Sequence, residues 1–492
     1  MTQQEMEKIL EVGTLLSSER NLDRLLEKVL ICTMEMARCD AGTLYLLDGD
    51  GLSFKIMRND TLKTYSGGDG RDSGLPKVPL SRENVCALSL LEERTISIED
   101  VRNAPGYNFS GPIRYDAMTG YYTKSMLVVP MCGRDGSKIG VLQLMNALND
   151  AGNICAFSEE MVLVLESMAS QASITIQNAR YIEEIKELLY SFVRVMSSAV
   201  DERTPYNGSH TRHMAEYGSR FIDWLNARSA GERFSPAHKE EILMSVWLHD
   251  IGKLVTPLEV MNKVARLLPE QHAAFTHRMQ VVRLRAEIDE LAGRISPGER
   301  QALIEATHAA ARLVEEANTA GFITDECLRQ LQLLQLRLYR DEDGQEHPWL
   351  TPEEYAMLSI RKGTLSDEER AVMEEHVSIT DRLLSQIRFS GEFSHVREWA
   401  ASHHEFLNGS GYPAGLSGED IPPEVRMITI LDIFDALVAE DRPYKRGMPV
   451  ERALSILQTM ADREGKLDGQ LVRLFAESRC WEKERPKAEK EG

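Results

Sequence analysis

Residues 402–413, SHHEFLNGSGYP, set two adjacent imidazoles, His403 and His404, directly before a carboxylate, Glu405, and then a loop carrying Gly409, Gly411 and Pro413. Imidazole and carboxylate are ligands of borderline divalent metals, and placed together at the mouth of a turn they suit a metal site better than a core. Two further stretches carry the same chemistry. WLHDIGK, residues 247–253, puts His249 beside Asp250 after an apolar run, and ITILDIFDALVAEDRPYK, residues 428–445, holds Asp432 on an apolar flank. Donors on separate segments are what a polynuclear site needs. The two oxygens of one aspartate can bridge two cations, and a bridged pair activates water at neutral pH, so the chemistry indicated is metal-assisted hydrolysis.

The His249–Asp250 dyad, Lys253, the HHE of residues 403–405, the GYP of 411–413 and the DRPYK of 441–445 occur in the order of the HD-GYP family, a branch of the HD-domain metallophosphohydrolases, which this chain resembles. The resemblance places the family's opening histidine at His210, within ERTPYNGSHTRHMAEYG, and a further one at His376, within RKGTLSDEERAVMEEHVSITDRLL. It implies a metal set of His210, His249, Asp250, His376, His403, His404 and Asp432, holding two or three divalent ions, iron or manganese by donor type. Asp250 and Lys253 become the catalytic residues, with Lys253 stabilising the phosphate or helping to protonate the leaving oxygen. Gly411, Tyr412 and Pro413 shape the substrate pocket, and Arg442 and Lys445 supply cations for a phosphodiester. Asp201 and Glu202 are candidate carboxylates for an additional ion; His213 is not required, and Asp435 reads as structural. The activity implied is hydrolysis of cyclic di-GMP to pGpG and GMP. The alternatives are another cyclic dinucleotide, such as cyclic GMP-AMP, or a catalytically silent module that binds a cyclic nucleotide or a partner.

The elements that must position these residues fill a chain of 492 residues, enough for two or three domains. A formal net charge of −20 argues against a general affinity for nucleic-acid polymer or an anionic membrane, so an anionic substrate must be met by local cations or metals. The seven cysteines are scattered without CxxC spacing and read as reduced thiols of a cytoplasmic protein. No apolar run approaches the roughly 18 residues of a membrane span, and the polar start MTQQEMEKIL has no signal-peptide core.

Helical spacing covers residues 5–37. TLYLLDGDGLSFKIM then reads as a hairpin, TISIEDV as a strand, and KSMLVVPMCGRDGSKIGVLQLMNA as a second hairpin turning at Arg134, Asp135 and Gly136. Helix, hairpins and helix make an α+β domain with one antiparallel sheet. SMLVVPM, IGVLQLMNA and FSEEMVLVLESMASQASITIQNA resemble a GAF domain, a small-molecule sensor module whose ligand here is unknown; Asn146 is followed by Ala147 where cyclic-nucleotide-binding members tend to have lysine.

From Ser158 to Ala199 apolar or small residues at Leu165, Met168, Ala172, Thr175, Ala179, Ile182, Leu189, Val193 and Met196 step by threes and fours with Lys186 the one polar interruption, the pattern of a coiled-coil seam and hence of a homodimer. Helices at 239–249 and from about Phe393 are expected to end in the two histidine motifs. Residues 264–360 interrupt the catalytic pattern with amphipathic helices, the third running from Asp325 to Tyr339, as a lid, a partner-docking arm or a dimer contact. His272, His277, His308 and His347 within it read as surface residues. The expected architecture is multidomain: an α+β sensor over 1–157, a connecting helix over 158–199, an all-α catalytic domain over 200–480 with its insertion, and a polar tail over 481–492.

Overall fold

The computed structural model describes residues 21–67, 74–133, 135–203, 209–228, 233–341, 343–439 and 447–482. It forms two compact units, Met1–Leu189 and Tyr190–Gly492.

The first unit opens with α1 (Leu22–Ala37), whose first turn is capped by the Asn21 side chain accepting from Arg24 N. Residues 5–20 of the expected helix lie outside the described residues. The sheet comprises β1 (Cys39–Asp48), β2 (Gly51–Asn59), β3 (Thr64–Gly67), β4 (Val78–Pro79), β5 (Ile96–Ile98), β6 (Met126–Cys132), β7 (Lys138–Leu148) and β8 (Ile154–Cys155). Its main path runs β3-β2-β1-β7-β6-β5, with antiparallel pairing throughout. Both expected hairpins are present, β1 with β2 and β6 with β7. Both faces of this sheet are covered, and the period of two decides which side chain goes where. In β6, Leu127, Val129 and Met131 join a core with α1, while Met126 and Val128 join a second core with α2 (Val85–Glu92) and Phe109, the residue before α3 (Ser110–Thr119).

Helix α4 runs unbroken from Glu159 to Asp201. The seam expected along it is corrected in part. Leu165, Met168 and Ala172 are buried in the first unit's own core, together with Ala169 and Ile176, and Val193 is buried in the second unit against Met244 and Leu248. The exposed apolar stripe is instead Ile182, Ile185, Leu188, Leu189, Phe192 and Val195, in which 182, 185, 189 and 192 keep the alternating spacing.

The second unit is helical: α5 (His210–Arg228), α6 (Pro236–Leu248), a single turn α7 (Leu258–Met261), α8 (Pro269–Leu291), α9 (Pro297–Thr319), α10 (Asp325–Gln335), α11 (Pro352–Leu358), α12 (Asp367–Leu384), α13 (Val396–Ala400), α14 (Pro423–Val438), α15 (Val450–Asp462) and α16 (Gly469–Ser478). Phe221, Phe434 and Phe475 centre the core of α5, α14 and α16, with edge-to-face contacts of 5.5 and 5.0 Å. Helices α8 to α11 build a separate core from Phe275, Val282, Val314, Leu331 and Trp349.

Two expectations for this unit fail. The third helix of the insertion stops at Gln335, because Leu338–Arg340 pairs with Glu346–Pro348 as a small hairpin, so the insertion is not purely helical. The helix before His403 is only Val396–Ala400, followed by hydrogen-bonded turns.

The insertion closes on itself at its base. The buried guanidinium of Arg266 donates to the carbonyls of Ala317 and Ala320, which end α9, and to that of Ile360 at 3.0 Å. Thr364 Oγ1 donates to Lys263 O at 3.0 Å, and Lys263 Nζ lies 2.7 Å from both oxygens of Glu369.

Candidate metal centre

His249 caps the C-terminus of α6 and Asp250 follows it into a tight turn. Gly252 is required there: a Cβ at this position would lie 1.9 Å from the carbonyl oxygen of His376. His376 comes from the middle of α12, His403 and His404 from the turns after α13, Asp432 from α14 and His210 from the first residue of α5. Five elements far apart in the sequence thus deliver their polar side chains to one place.

Three of the histidines share a device. His249 Nδ1 lies 2.7 Å from Val246 O, His376 Nδ1 2.7 Å from Met373 O, and His403 Nδ1 2.7 Å from Ala400 O. Each carbonyl takes the Nδ1 proton and leaves Nε2 as a bare lone pair, the tautomer that a metal ligand requires. Those three Nε2 atoms are buried and have no hydrogen-bond partner among the described residues, and neither has Asp250 Oδ1. Orphaned buried acceptors cost about 1–3 kcal/mol each unless something binds them. A divalent ion fits this donor set.

Among the described residues the donors form two groups, His210 with His249 and Asp250, and His376 with His403 and His404, with the ligand atoms of each group within 4.8 Å of one another. Asp250 faces both groups. Its Oδ2 is 3.2 Å from His249 Nε2, and its Oδ1 is 3.4 Å from His376 Nε2 and 3.9 Å from His403 Nε2. Asp432 repeats the pattern, with Oδ1 3.3 Å from His210 Nε2 and Oδ2 3.7 Å from His404 Nδ1.

Charge is balanced locally. Burial alone would raise the pKa of Asp250, but His249 and Lys253 hold it well below the usual carboxylate range. Asp432 is likewise depressed against the pull of burial, by its bond to His210 and by His404. For His210 burial opposes the charge, yet Asp432 and Asp435 outweigh it and push the pKa up to about 10. His376 moves the other way, to about 4, because burial disfavours its cation more than Asp250 favours it. Lys253 Nζ sits 2.5 Å from Asp250 Oδ2 and stays charged.

The HHE carboxylate has a different task. Glu405 is buried and accepts from the backbone N–H groups of Ala414, Gly415 and Leu416 at 2.7, 3.2 and 2.9 Å, tying down the loop that carries Tyr412. Gly411 fits because a Cβ there would lie 2.4 Å from Phe406 N and 2.5 Å from His404 O. The Tyr412 ring stands 4.8 Å from that of His404, and Pro413 follows it through a cis peptide bond.

Asp435, read as structural from the sequence, lies 2.7 Å from His210 Nδ1 and 3.5 Å from His213 Nδ1. Asp201 is buried and accepts from Thr211 Oγ1 at 3.2 Å, with its pKa raised by burial, whereas Glu202 is exposed. Arg442 and Lys445 lie outside the described residues. His272 and His347 pair with Glu315 and Asp341, and His277 and His308 are exposed. Sequence reasoning also missed Thr380 and Thr429, whose only signal is a hydroxyl on the ligand's own helix.

Residues 349–471 match the family model of the HD domain, and residues 21–176 that of the GAF domain. A stretch of 98 residues, 20% of this chain and 20% of the relative, is 39% identical to the 3′3′-cGAMP-specific phosphodiesterase 3 of Vibrio cholerae. Over 106 residues, 21% of this chain and 27% of the relative, it is 41% identical to the cyclic di-GMP phosphodiesterase response regulator RpfG of Xanthomonas campestris. A cyclic di-GMP phosphodiesterase of Thermotoga maritima is 36% identical over 22% of this chain and 28% of its own length. The chain therefore spans between a fifth and under a third of the length of these curated relatives. Among solved structures, the GAF domain of an Acinetobacter phosphoenolpyruvate-protein phosphotransferase aligns over 37% of this chain and 98% of its own, at 18% identity and a TM-score of 0.28. No helix among the described residues is long and apolar enough to cross a membrane. Two domain families thus meet in one chain: residues 21–176 are a GAF domain, and residues 349–471 belong to the HD domain family.

Proposed function

We propose that this protein is a metal-dependent phosphodiesterase that hydrolyses cyclic di-GMP to linear pGpG, with GMP as the product of a second cut, under control of its GAF domain. The observation that carries the reading is Asp250, one carboxylate facing two groups of histidine donors, three of which, His249, His376 and His403, present an Nε2 without a hydrogen-bond partner among the described residues. The matched relatives act on cyclic di-GMP or on 3′3′-cGAMP, which supports the substrate class.

Two ions suit the two donor groups, His210, His249 and Asp250 for one and His376, His403 and His404 for the other, with Asp432 reaching both. Donors of imidazole and carboxylate without thiolate favour iron or manganese. Bound there, divalent ions supply Lewis acidity toward a phosphoryl oxygen and a water of lowered pKa. The chain's own residues do the rest. Asp250 and Asp432 fix the spacing of the donors. Lys253 carries its charge into the site through Asp250 and offsets negative charge developing on the phosphate or hands a proton to the leaving oxygen. The Tyr412 ring, beside His404 and held by the Glu405 loop, offers a stacking face for a guanine base. Arg442 and Lys445 are the proposed phosphate grips.

The seven free cysteines support an assignment to the cytoplasm. The stripe of Ile182, Ile185, Leu189 and Phe192 on α4 supports pairing with a second copy through this helix. The test is turnover of cyclic di-GMP, with cyclic GMP-AMP as competitor, by protein reconstituted anaerobically with iron or manganese, beside Asp250→Ala. Activity on cyclic di-GMP that disappears in Asp250→Ala is the expected result. Preference for cyclic GMP-AMP would move the reading to that substrate, and binding without turnover in fully loaded protein would leave a silent module.

A further inference from the structure

Two buried threonines brace the metal donors against each other. Thr380 lies one helical turn after His376 on α12, and its hydroxyl reaches across to the turn that carries the other group: Thr380 Oγ1 donates to His249 O at 3.0 Å and accepts from Gly252 N at 3.0 Å. Thr429 lies one turn before Asp432 on α14 and donates to His403 O at 2.8 Å, sharing its hydrogen with Val425 O of its own helix at 2.9 Å. Both side chains are buried.

The arrangement has a logic that neither bond shows alone. The imidazoles of His249 and His403 are each anchored at Nδ1 by a carbonyl from their own turn, Val246 and Ala400. That anchor orients the ring within the turn and makes no bond to the helix opposite. The threonine supplies such a bond, because it grips the main-chain carbonyl of the histidine itself. Thr380 thereby joins the His376 helix to the His249–Asp250 turn, and Thr429 joins the Asp432 helix to the His403–His404 turn. Close approach makes the first brace short, since Gly252 already touches His376 O and admits no side chain between the two segments.

We infer that Thr380 and Thr429 are positioning residues that set the separation of the two donor groups, so that two ions are held as one dinuclear centre and not as two independent sites. The inference rests on the metal-centre reading above. Both hydroxyls are spent on backbone atoms, and each acts through the main chain of a candidate ligand. Groups that orient ligands from behind commonly control metal affinity by 10- to 100-fold, and a displacement of the donors alters the coupling between two ions more than it alters the fold.

The test uses the full-length protein and manganese as the probe. Thr380→Val and Thr429→Val keep the shape and remove the hydroxyl; Thr380→Ser and Thr429→Ser keep the hydroxyl. Equilibrium Mn(II) binding, the electron paramagnetic resonance signature of coupled manganese pairs, and the melting of the metal-free protein are measured for each. Expected are a loss of about 10- to 100-fold in Mn(II) affinity and an altered or lost pair signal in the valine variants, with both restored in the serine variants. Wild-type affinity and coupling in the valine variants would overturn the inference, as would equal damage in valine and serine variants. If a valine variant does not fold metal-free, the alanine variant at the same position decides by the same two readouts. Absence of Mn(II), Fe(II) and Zn(II) binding in wild type and Asp250→Ala alike would take down the metal-centre reading itself, an outcome distinct from tight wild-type loading that ignores the threonines.

Discussion

His210 Nδ1 and Asp435 Oδ2 are 2.7 Å apart, both buried, at the contact of α5 with α14. Asp435 stands one turn after Asp432, so a single helix supplies both a carboxylate beside His210 Nε2 and the carboxylate that holds its other nitrogen. His249, His376 and His403 each meet a backbone carbonyl at Nδ1; His210, the first residue of its helix, meets the Asp435 side chain there.

Replacing Asp435 by asparagine keeps the shape and removes the charge behind His210. Metal affinity is expected to fall about 10- to 100-fold, read by Mn(II) titration, while the same change at the exposed Glu202 leaves it unaltered.

Metal uptake is expected to release protons in a pattern set by the two shifted imidazoles. His210, with its pKa pushed up to about 10, carries a proton at pH 7.5, and His376, near 4, does not. A ligand must be neutral, so loading at pH 7.5 expels about one proton from His210 and its affinity rises by up to about tenfold per pH unit until pH 10. Titration calorimetry in buffers of different ionisation enthalpy measures the number. The linked stability runs in the opposite sense: a raised histidine pKa stabilises the metal-free protein below the unfolded value of about 6.5, and that contribution is lost as pH rises through 10.

Glu405→Gln leaves the metal donors in place and weakens three backbone contacts of the Tyr412 loop. Stability is expected to drop by about 1–3 kcal/mol. If the loop forms the substrate wall, KM for cyclic di-GMP rises while manganese content is unchanged; lost manganese would instead place Glu405 in the metal centre.

Arg266→Ala strips three carbonyls of a buried donor at the base of the insertion. A cost of about 2–4 kcal/mol is expected, seen as early proteolytic cutting within residues 264–360 with metal content retained.

Phe192→Glu places a charge in the exposed stripe of α4. A second copy paired there dissociates, and light scattering reports a monomer; a wild-type protein already monomeric at tens of micromolar removes the pairing.

The segments that carry the candidate donors were legible because a histidine beside an aspartate or another histidine, after an apolar run, breaks the pattern of a core. The sheet was legible from alternation in β6 and β7. What was hidden follows from physics that leaves no local trace. Thr380 and Thr429 act on carbonyls of turns distant in the chain, and a threonine in a helix looks the same whether its hydroxyl meets its own backbone or another's. Glu405, next to two histidines, has a ligand's chemistry, and only the three amides facing it show its use. Along α4 the spacing of threes and fours identifies a helix with an apolar face, but Leu165 and Ile185 obey the same spacing although one faces a core and the other water. Leu338 and Tyr339 continue a helical run in composition and depart from it because a partner strand lies eight residues on.

The clasp of Arg266 on Ile360, with Thr364 on Lys263, makes the long excursion between Asp250 and His376 begin and end at nearly one point. Seen from the metal donors, its contour length has no bearing: whether ten residues or a hundred are looped out, the two flanking segments meet at the same span, and lengthening a loop whose ends are already pinned costs little entropy. The segment is therefore an appendage in the topological sense, its two ends pinned side by side by contacts that involve none of the candidate donors.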